Sequence, residues 1–306
     1  MAPANSFQHS SKTVCVMDAS GRLGVSLVER LLQRGYNVHA ATCNNGGEEL
    51  LGLKGLSCDN KQLKVFRTDP FDYHSIVDAM KGCAGLFYSF ESPQDQSNYD
   101  EFMVEVEMRA AHNVLEACAQ TETIERVVFT SSVTAVVWKE NRKLGADFDE
   151  RDWSEPNFCR KFKLWHGLAK TLAEKTAWAL AMDRGVDMVS VNAGLVVGPG
   201  TSLASPYLKG APEMYEDGVL VTVDVNLLAD AHLAVFETPS AYGRYLCFNR
   251  AVCRPDDAVK LAQMLSPTSP CPSPSGDELR VIQQRIQNKK LNKLMVEFAA
   301  GRHVDG

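Results

Sequence analysis

The alternation of short apolar runs with amphipathic helical stretches is the feature that most restricts the fold of this chain. Residues 12–17, KTVCVM, are apolar and partly β-branched; after a turn of small residues, the segment 23–35 repeats leucine at helical spacing and ends at Gly35. Further strands are predicted at 36–42, 62–68, 85–90, 126–132 and 186–192, with helices at 73–82, 99–119 and 161–185. Such an order forms parallel βαβ units with right-handed crossovers, so the sequence predicts an α/β fold with a doubly wound parallel sheet.

The pattern loosens after residue 192, where glycine and proline become frequent. One helix is predicted at 226–237, one strand at 243–248 and a further helical stretch at 278–298. We expect a flexible tail at 1–11, a Rossmann-type NAD(P)-binding domain at 12–192 and a mainly substrate-binding region at 193–306. Within that region, the Pro- and Ser-rich residues 266–277 predict a flexible loop.

Composition restricts the class of function. A net charge of −6 without a dense Lys/Arg block gives no footprint for nucleic acid or an anionic membrane. No apolar run is long enough for a membrane helix, and the N-terminus lacks the pattern of a signal peptide. Nine cysteines without metal-ligand spacing fit a reducing compartment, so we expect a cytoplasmic protein with no bound metal and a small-molecule substrate. Protein partners are not predicted.

The turn after the first strand, MDASGRLG, is a candidate phosphate site. Gly21 and Gly24 have the spacing that lets a backbone approach a pyrophosphate at a helix N-terminus, with Arg22 and Leu23 between them. Asp18 stands where a first glycine would ease the turn. The alternative is an ordinary βα turn that binds nothing.

The end of the second predicted strand bears on the choice of nicotinamide cofactor. NAD-binding sites usually have a carboxylate there for the ribose 2′-hydroxyl, whereas this strand ends in ATCNN. Arg22 could face a 2′-phosphate or the pyrophosphate. These features favour NADP over NAD.

Longer segments carry a resemblance that runs in order over residues 12–298. They are VVFTSSVTAV at 127–136, DERDWSEPNFCRK at 149–161, the stretch 165–170 followed by TLAEKTAW, NAGLVVGP at 192–199, LADAHLAVFETPSAYGRYLC at 228–247 and KKLNKLMVEF at 289–298. Together they resemble the plant cinnamoyl-CoA reductases and their dihydroflavonol-reductase relatives, within the extended short-chain dehydrogenases/reductases.

The resemblance implies a site. Family members reduce hydroxycinnamoyl-CoA thioesters, or related aldehydes and ketones, with NADPH and use a serine, a tyrosine and a lysine. Ser132 matches the serine that polarises the carbonyl oxygen, and Lys170 matches the lysine that binds the nicotinamide ribose. Asp69 and Pro70 match the pair that contacts adenine.

The chain departs from the family where the proton-donating tyrosine is expected, because position 166 is histidine. Residues four apart on a helix share a face, so His166 and Lys170 are predicted to line the same cleft. The lysine charge that makes a phenol more acidic disfavours an imidazolium, and a neutral imidazole is a poor acid. His166 is thus either a modified acid/base residue or a residue that fills the vacated space.

Other departures weaken family contacts. Besides Asp18, Cys43 replaces the arginine expected after the second strand, Arg109 corresponds to an asparagine expected on the long helix, and Ala193 replaces a proline.

Two functions from different classes follow. The first is an NADP-dependent oxidoreductase that reduces a phenylpropanoid CoA thioester or aldehyde in lignin or defence metabolism, with Ser132, His166 and Lys170 at the catalytic site. The second is a catalytically impaired dinucleotide- or phenolic-binding regulatory protein. A nucleotide-sugar epimerase or dehydratase is disfavoured, since it usually needs the same tyrosine and a tightly held NAD.

Overall fold

The computed structural model describes residues 12–43, 53, 61–91, 99–140, 147–198, 200–267 and 281–302. The predicted tail at 1–11 and most of the predicted loop at 266–277 lie outside these residues. None of the helices in the described ranges is long and apolar enough to cross a membrane. The cysteines in these ranges are free thiols.

The strands, in chain order, are β1 Thr13–Met17, β2 Asn37–Thr42, β3 Leu63–Arg67, β4 Gly85–Tyr88, β5 Arg126–Ser132, β6 Met188–Ala193, β7 Leu195–Val197, β8 Val221–Asp224, β9 Gly243–Cys247 and β10 Arg250–Ala251. The α-helices are α1 Arg22–Gln33, α2 Tyr73–Met80, α3 Glu101–Ala119, α4 Pro156–Lys161, α5 Trp165–Arg184, α6 Ala211–Glu216, α7 Val225–Glu237, α8 Pro255–Leu265 and α9 Lys289–Arg302. Short 3₁₀ turns lie at Val133–Ala135 and Pro206–Leu208.

Seven strands form one sheet in the order β3-β2-β1-β4-β5-β6-β9, and every pairing in it is parallel. One apolar cluster packs α1, α7 and α9 against one face, and another packs α2, α3 and α5 against the opposite face. Apart from the edge strand β3, the strands of this sheet are almost entirely buried because helices cover both faces. The predicted doubly wound α/β fold is confirmed.

The strand order reverses between β1 and β4, which is where open α/β sheets bind ligands, beyond the carboxyl ends of the strands. A second, smaller sheet of order β10-β8-β7 lies in the later part of the chain. That part also supplies β9 to the main sheet, with Val189 of β6 opposite Gly243.

Two sequence predictions need correction. The stretch 281–288 is not helical, although 278–298 has helical spacing, because its backbone bonds to other segments: Ile282 N–H donates to the Cys253 carbonyl and Arg285 N–H to that of Gly218. Ile286 is fully buried in a bridge to Phe148, so tertiary contacts override local periodicity here.

The helix predicted at 161–185 is interrupted. The backbone of Lys163 is left-handed, with φ of 54°, and the Leu164 N–H turns back to the Cys159 carbonyl. The chain therefore starts a new helix at Trp165 and ends it at Gly185, whose φ of 70° terminates α5. As a result, His166 lies in the first turn of α5.

Candidate active site

The glycine turn leads directly from β1 into α1. A Cβ on Gly24 would lie 2.2 Å from the Asp18 carbonyl oxygen, so only glycine allows the helix to pack this closely on the turn. Asp18 has a left-handed φ of 62°, which explains why glycine suits this position and why aspartate, among the residues with side chains, tolerates it.

A carboxylate of the chain itself covers this turn. The Arg22 N–H donates to Oε1 of Glu91 at 2.9 Å, and a Cβ on Gly21 would meet the Glu91 carboxyl group within 3.0 Å. The Glu91 N–H donates to Oδ2 of Asp18 at 2.7 Å, which fixes the backbone of residue 91 beside the turn. The N-terminus of α1 thus binds an anionic group, the Glu91 carboxylate.

Arg22 turns its guanidinium group toward the cleft. Nη1 donates to Thr201 Oγ1, and within the described part of the chain the buried Nε has no hydrogen-bond partner. An unpaired buried donor of this kind is costly until an acceptor reaches it. Leu23 is buried and lines the same cleft.

Asp69 and Pro70 follow β3, at the carboxyl ends of the strands, as the glycine turn does. Asp69 Oδ1 accepts the Phe71 N–H at 2.8 Å, and the Pro70 carbonyl accepts from Asn113 Nδ2 at 2.9 Å. The carboxylates of Asp18 and Asp69 both raise the pKa of Cys43, after the larger effect of burial, so the three groups are neighbours. The turn and the end of β3 therefore face one region beyond the carboxyl ends of β1 and β2.

The predicted catalytic residues meet in one open cleft of about 940 Å³ at this edge. Ser132 at the end of β5 and His166 and Lys170 on α5 line it, opposite Arg22 and Leu23 of the turn. The far wall comes from residues after β6 and from Tyr207, which is buried and donates to the Val221 carbonyl at 3.2 Å. Burial raises the pKa of the Tyr207 phenol, so this hydroxyl is a weak acid.

Ser132 and His166 are connected through Thr134, a residue that the sequence did not single out. Thr134 Oγ1 lies 3.0 Å from Ser132 Oγ and 3.0 Å from His166 Nδ1. Ser132 Oγ also accepts the Thr134 N–H at 3.2 Å, because the chain forms a 3₁₀ turn directly after β5. Nδ1 of the imidazole is therefore connected to Ser132 through the Thr134 hydroxyl.

His166 is held neutral. Burial, followed by the charge of Lys170, lowers its pKa well below the usual value. The first turn of a helix disfavours a positive charge as well. The ring lies between Tyr99 and Tyr207, with centroid distances of 5.7 Å and 6.0 Å.

Lys170 forms a buried ion pair. Its Nζ lies 3.0 Å from Oε2 of Glu107 on α3 and donates to the Phe90 carbonyl at 3.0 Å. The Glu107 side chain is 2% exposed and also accepts a hydrogen bond from the Tyr99 hydroxyl. Because an ammonium group has three N–H bonds, one remains for a ligand in the cleft.

The position on α3 that faces the lysine is thus Glu107 and not Arg109. The Arg109 side chain is 63% exposed and pairs with Glu105 on the outer face of the helix. The sequence contained a signal that identifies Glu107: with Val104, Ala111 and Val114 it falls on the buried face of α3 at helical spacing. A carboxylate on such a face requires a partner.

Beneath Ser132, a second buried ion pair joins α5 to the sheet. Glu174 is fully buried and pairs with Arg244 at 2.8 Å. It also accepts hydrogen bonds from the side chains of Ser131, Ser190 and Asn192 at 2.7 to 2.8 Å. Since Ser131 precedes Ser132 and Asn192 Nδ2 donates to the Ser132 carbonyl at 3.3 Å, this network holds the end of β5 in place.

The cleft thus combines an anion site at a helix N-terminus, an ammonium group and a hydroxyl near the end of β5. Among the described residues, no group of three His, Cys, Asp or Glu side chains could hold a metal ion. The donor set suits a dinucleotide and an uncharged oxygen acceptor.

Comparison with known families gives one match over most of the chain. Residues 14–216 match the NAD dependent epimerase/dehydratase family. Cinnamoyl-CoA reductase 1 from Petunia hybrida is 36% identical over 94% of this chain and 88% of its own length. Tetraketide alpha-pyrone reductase 1 from Arabidopsis thaliana is 31% identical over 93% of this chain and 90% of its own length.

Solved structures agree with the fold. Vestitone reductase from alfalfa superimposes with a TM-score of 0.70 at 25% identity, covering 92% of this chain and 91% of that one. Yeast methylglyoxal/isovaleraldehyde reductase, solved with NADPH, also has a TM-score of 0.70, at 21% identity over 93% of each chain.

Proposed function

We propose that this protein is an NADP-dependent reductase, because the chain belongs to the NAD dependent epimerase/dehydratase family. Among the extended short-chain dehydrogenases/reductases, it belongs to the group of the plant cinnamoyl-CoA reductases. Its substrate is the carbonyl group of a phenylpropanoid CoA thioester or aldehyde, in the cytoplasm and in lignin or defence metabolism. The observation that supports this proposal most strongly is the meeting of Ser132, His166 and Lys170 on one cleft beside the glycine turn.

The cofactor supplies a hydride from its nicotinamide ring when bound. Lys170 would hold a ribose hydroxyl with its remaining N–H, and the α1 N-terminus with Arg22 would hold the pyrophosphate in place of the Glu91 carboxylate. The absence of a carboxylate at the end of β2 favours NADP. Asp69 and Pro70 would contact the adenine side, as the family resemblance implies.

Ser132 performs the catalytic contact with substrate. Its hydroxyl donates to the carbonyl oxygen and stabilises the negative charge that develops there during hydride addition. Lys170 holds its place through Glu107 and the Phe90 carbonyl, which take two of its three N–H groups.

NADPH oxidation with feruloyl-CoA and with coniferaldehyde tests the proposal. Ser132→Ala is the matched control, since it removes one hydroxyl and leaves the ion pairs intact. Lys170→Ala is a poorer control, because it leaves Glu107 buried without its cation. NADPH oxidation at the Ser132→Ala rate, or none, would contradict the proposal.

A second function is favoured by the low pKa of His166 and by the Glu91 carboxylate over the turn. Here the chain is a dinucleotide- or phenolic-binding regulatory protein that has lost turnover. It predicts calorimetric binding of NADP⁺ without catalysis, together with a gain of activity in His166→Tyr. Turnover by the unmodified protein excludes it.

A further inference from the structure

The hydroxyl groups at the end of β5 have a defined direction of hydrogen bonding when a carbonyl ligand is present. Each hydroxyl carries one proton. If Ser132 donates its proton to a ligand oxygen, the bond between Ser132 and Thr134 at 3.0 Å requires Thr134 to donate. The contact of 3.0 Å between Thr134 and His166 then requires Nδ1 of the imidazole to carry a proton.

The surroundings of Ser132 support this order. The Ser132 oxygen already accepts from the Thr134 N–H at 3.2 Å, and the Ala193 carbonyl, the other acceptor of its proton, is 3.5 Å away. A bond of that length is at the outer limit of hydrogen bonding and is readily exchanged for a ligand oxygen in the cleft.

We propose that His166 replaces the missing tyrosine through two hydroxyl groups. The product oxygen takes its proton from Ser132, Ser132 is resupplied by Thr134, and Thr134 takes a proton from Nδ1 of His166. This inference rests on the proposed reductase function. Ser132 is the catalytic residue, and Thr134 and His166 are positioning residues that act through it.

The step is balanced for an aldehyde substrate. Hydride adds to the carbonyl carbon, and the electron pair of the C=O π bond moves to oxygen. That oxygen gains the Ser132 proton, Ser132 gains that of Thr134, and Thr134 gains the Nδ1 proton of His166. Nε2 takes one proton from water in the cleft, so the net consumption is one hydride and one solvent proton.

A relay of this type functions with a neutral imidazole. The ring loses a proton at one nitrogen and gains one at the other, so its charge is the same before and after the step. Among the described residues, the charged and titratable groups that face the ring are Lys170 on α5, Tyr99 and Tyr207, and Glu107 on α3 is the ion-pair partner of Lys170. Burial, followed by the charge of Lys170, keeps the ring neutral.

Thr134→Val tests the relay, because valine has nearly the same shape and no hydroxyl. With coniferaldehyde we expect kcat to fall about 100-fold, with the KM values little changed and the solvent deuterium isotope effect altered. Thr134→Ser should restore most of the rate. Thr171→Val is the matched control: it removes another buried hydroxyl, bonded to the Gly167 carbonyl within α5.

The double variant with His166→Phe decides whether the two residues act as one unit. The relay predicts that Thr134→Val together with His166→Phe is no slower than the slower single variant. Fully additive losses, or an unchanged kcat in Thr134→Val, would overturn the relay.

The nitrogen chemical shifts of the His166 ring, which need no turnover, separate the two possible failures. We expect a protonated Nδ1 whose signal shifts in Thr134→Val, and an unprotonated Nδ1 in the presence of a carbonyl ligand would overturn the relay. Absence of turnover in the unmodified protein overturns the proposed reductase and the relay together, whereas an active protein unaffected by Thr134→Val overturns the relay alone.

Discussion

Replacing Glu91 by glutamine is expected to tighten the binding of NADPH. The Glu91 carboxylate accepts the Arg22 N–H at the N-terminus of α1, where a pyrophosphate would bind. Glutamine has a carbonyl oxygen that can accept the same hydrogen bond, so the turn keeps its shape while the negative charge is removed.

The magnitude follows from the charge. Two unit charges 4 Å apart interact by about 1 kcal/mol in water and by about 4 kcal/mol at an effective dielectric constant of 20. Because Glu91 is exposed, the lower end of this range applies, about 1 to 2 kcal/mol. The Kd for NADPH should therefore fall roughly 5- to 30-fold in Glu91→Gln.

Calorimetric titration with NADPH at low and at high salt measures this effect. Screening should reduce the difference between the two proteins at high salt. Glu122→Gln changes the net charge equally on the loop between α3 and β5, near the opposite edge of the sheet, and is the control. An equal Kd for Glu91→Gln and the unmodified protein, or the same gain in Glu122→Gln, would refute the reasoning.

Three further predictions concern stability. Glu174→Gln breaks the buried pair with Arg244, and urea unfolding should show a loss of about 3 to 5 kcal/mol. Lys170→Met should lose a similar amount, about 3 to 5 kcal/mol, because the buried Glu107 carboxylate loses its cation. Adding Glu107→Gln should recover most of this loss, and no recovery would argue against the pair. Burial lowers the pKa of His232 from 6.5 to about 4, so the unfolded chain binds the proton more readily at acidic pH. The free energy of unfolding should then fall as the pH drops below 6.5. Between neutral pH and pH 5, this fall should be about 2 kcal/mol larger in the unmodified protein than in His232→Gln. Parallel pH profiles for the two proteins would contradict this.

Local periodicity and parallel topology were sufficient to predict the sheet. The meeting of Ser132, His166 and Lys170 was predicted from the family resemblance, and helical spacing added only that His166 and Lys170 share a face. Residues that act across the fold were harder to identify. Glu91 reaches the glycine turn from the segment after β4, and Thr134 connects Ser132 to His166 only because of the 3₁₀ turn.

Errors arose where tertiary contacts outweigh local pattern. The chain at 281–288 has helical spacing but bonds to distant loops, and Arg109 lies one face away from the carboxylate that pairs with the lysine. The buried face of α3 contained the information needed to identify Glu107, since a charged residue among apolar ones implies a partner.

Transfer of deuterium from C4-deuterated NADPH to the reduced carbon of coniferaldehyde tests the central claim most directly. We predict that mass spectrometry finds the label in the product formed by the unmodified protein. Ser132→Ala should form that product at a rate on the order of 100-fold lower. Unlabelled product, no product despite bound NADPH, or equal rates for the two proteins would contradict the account.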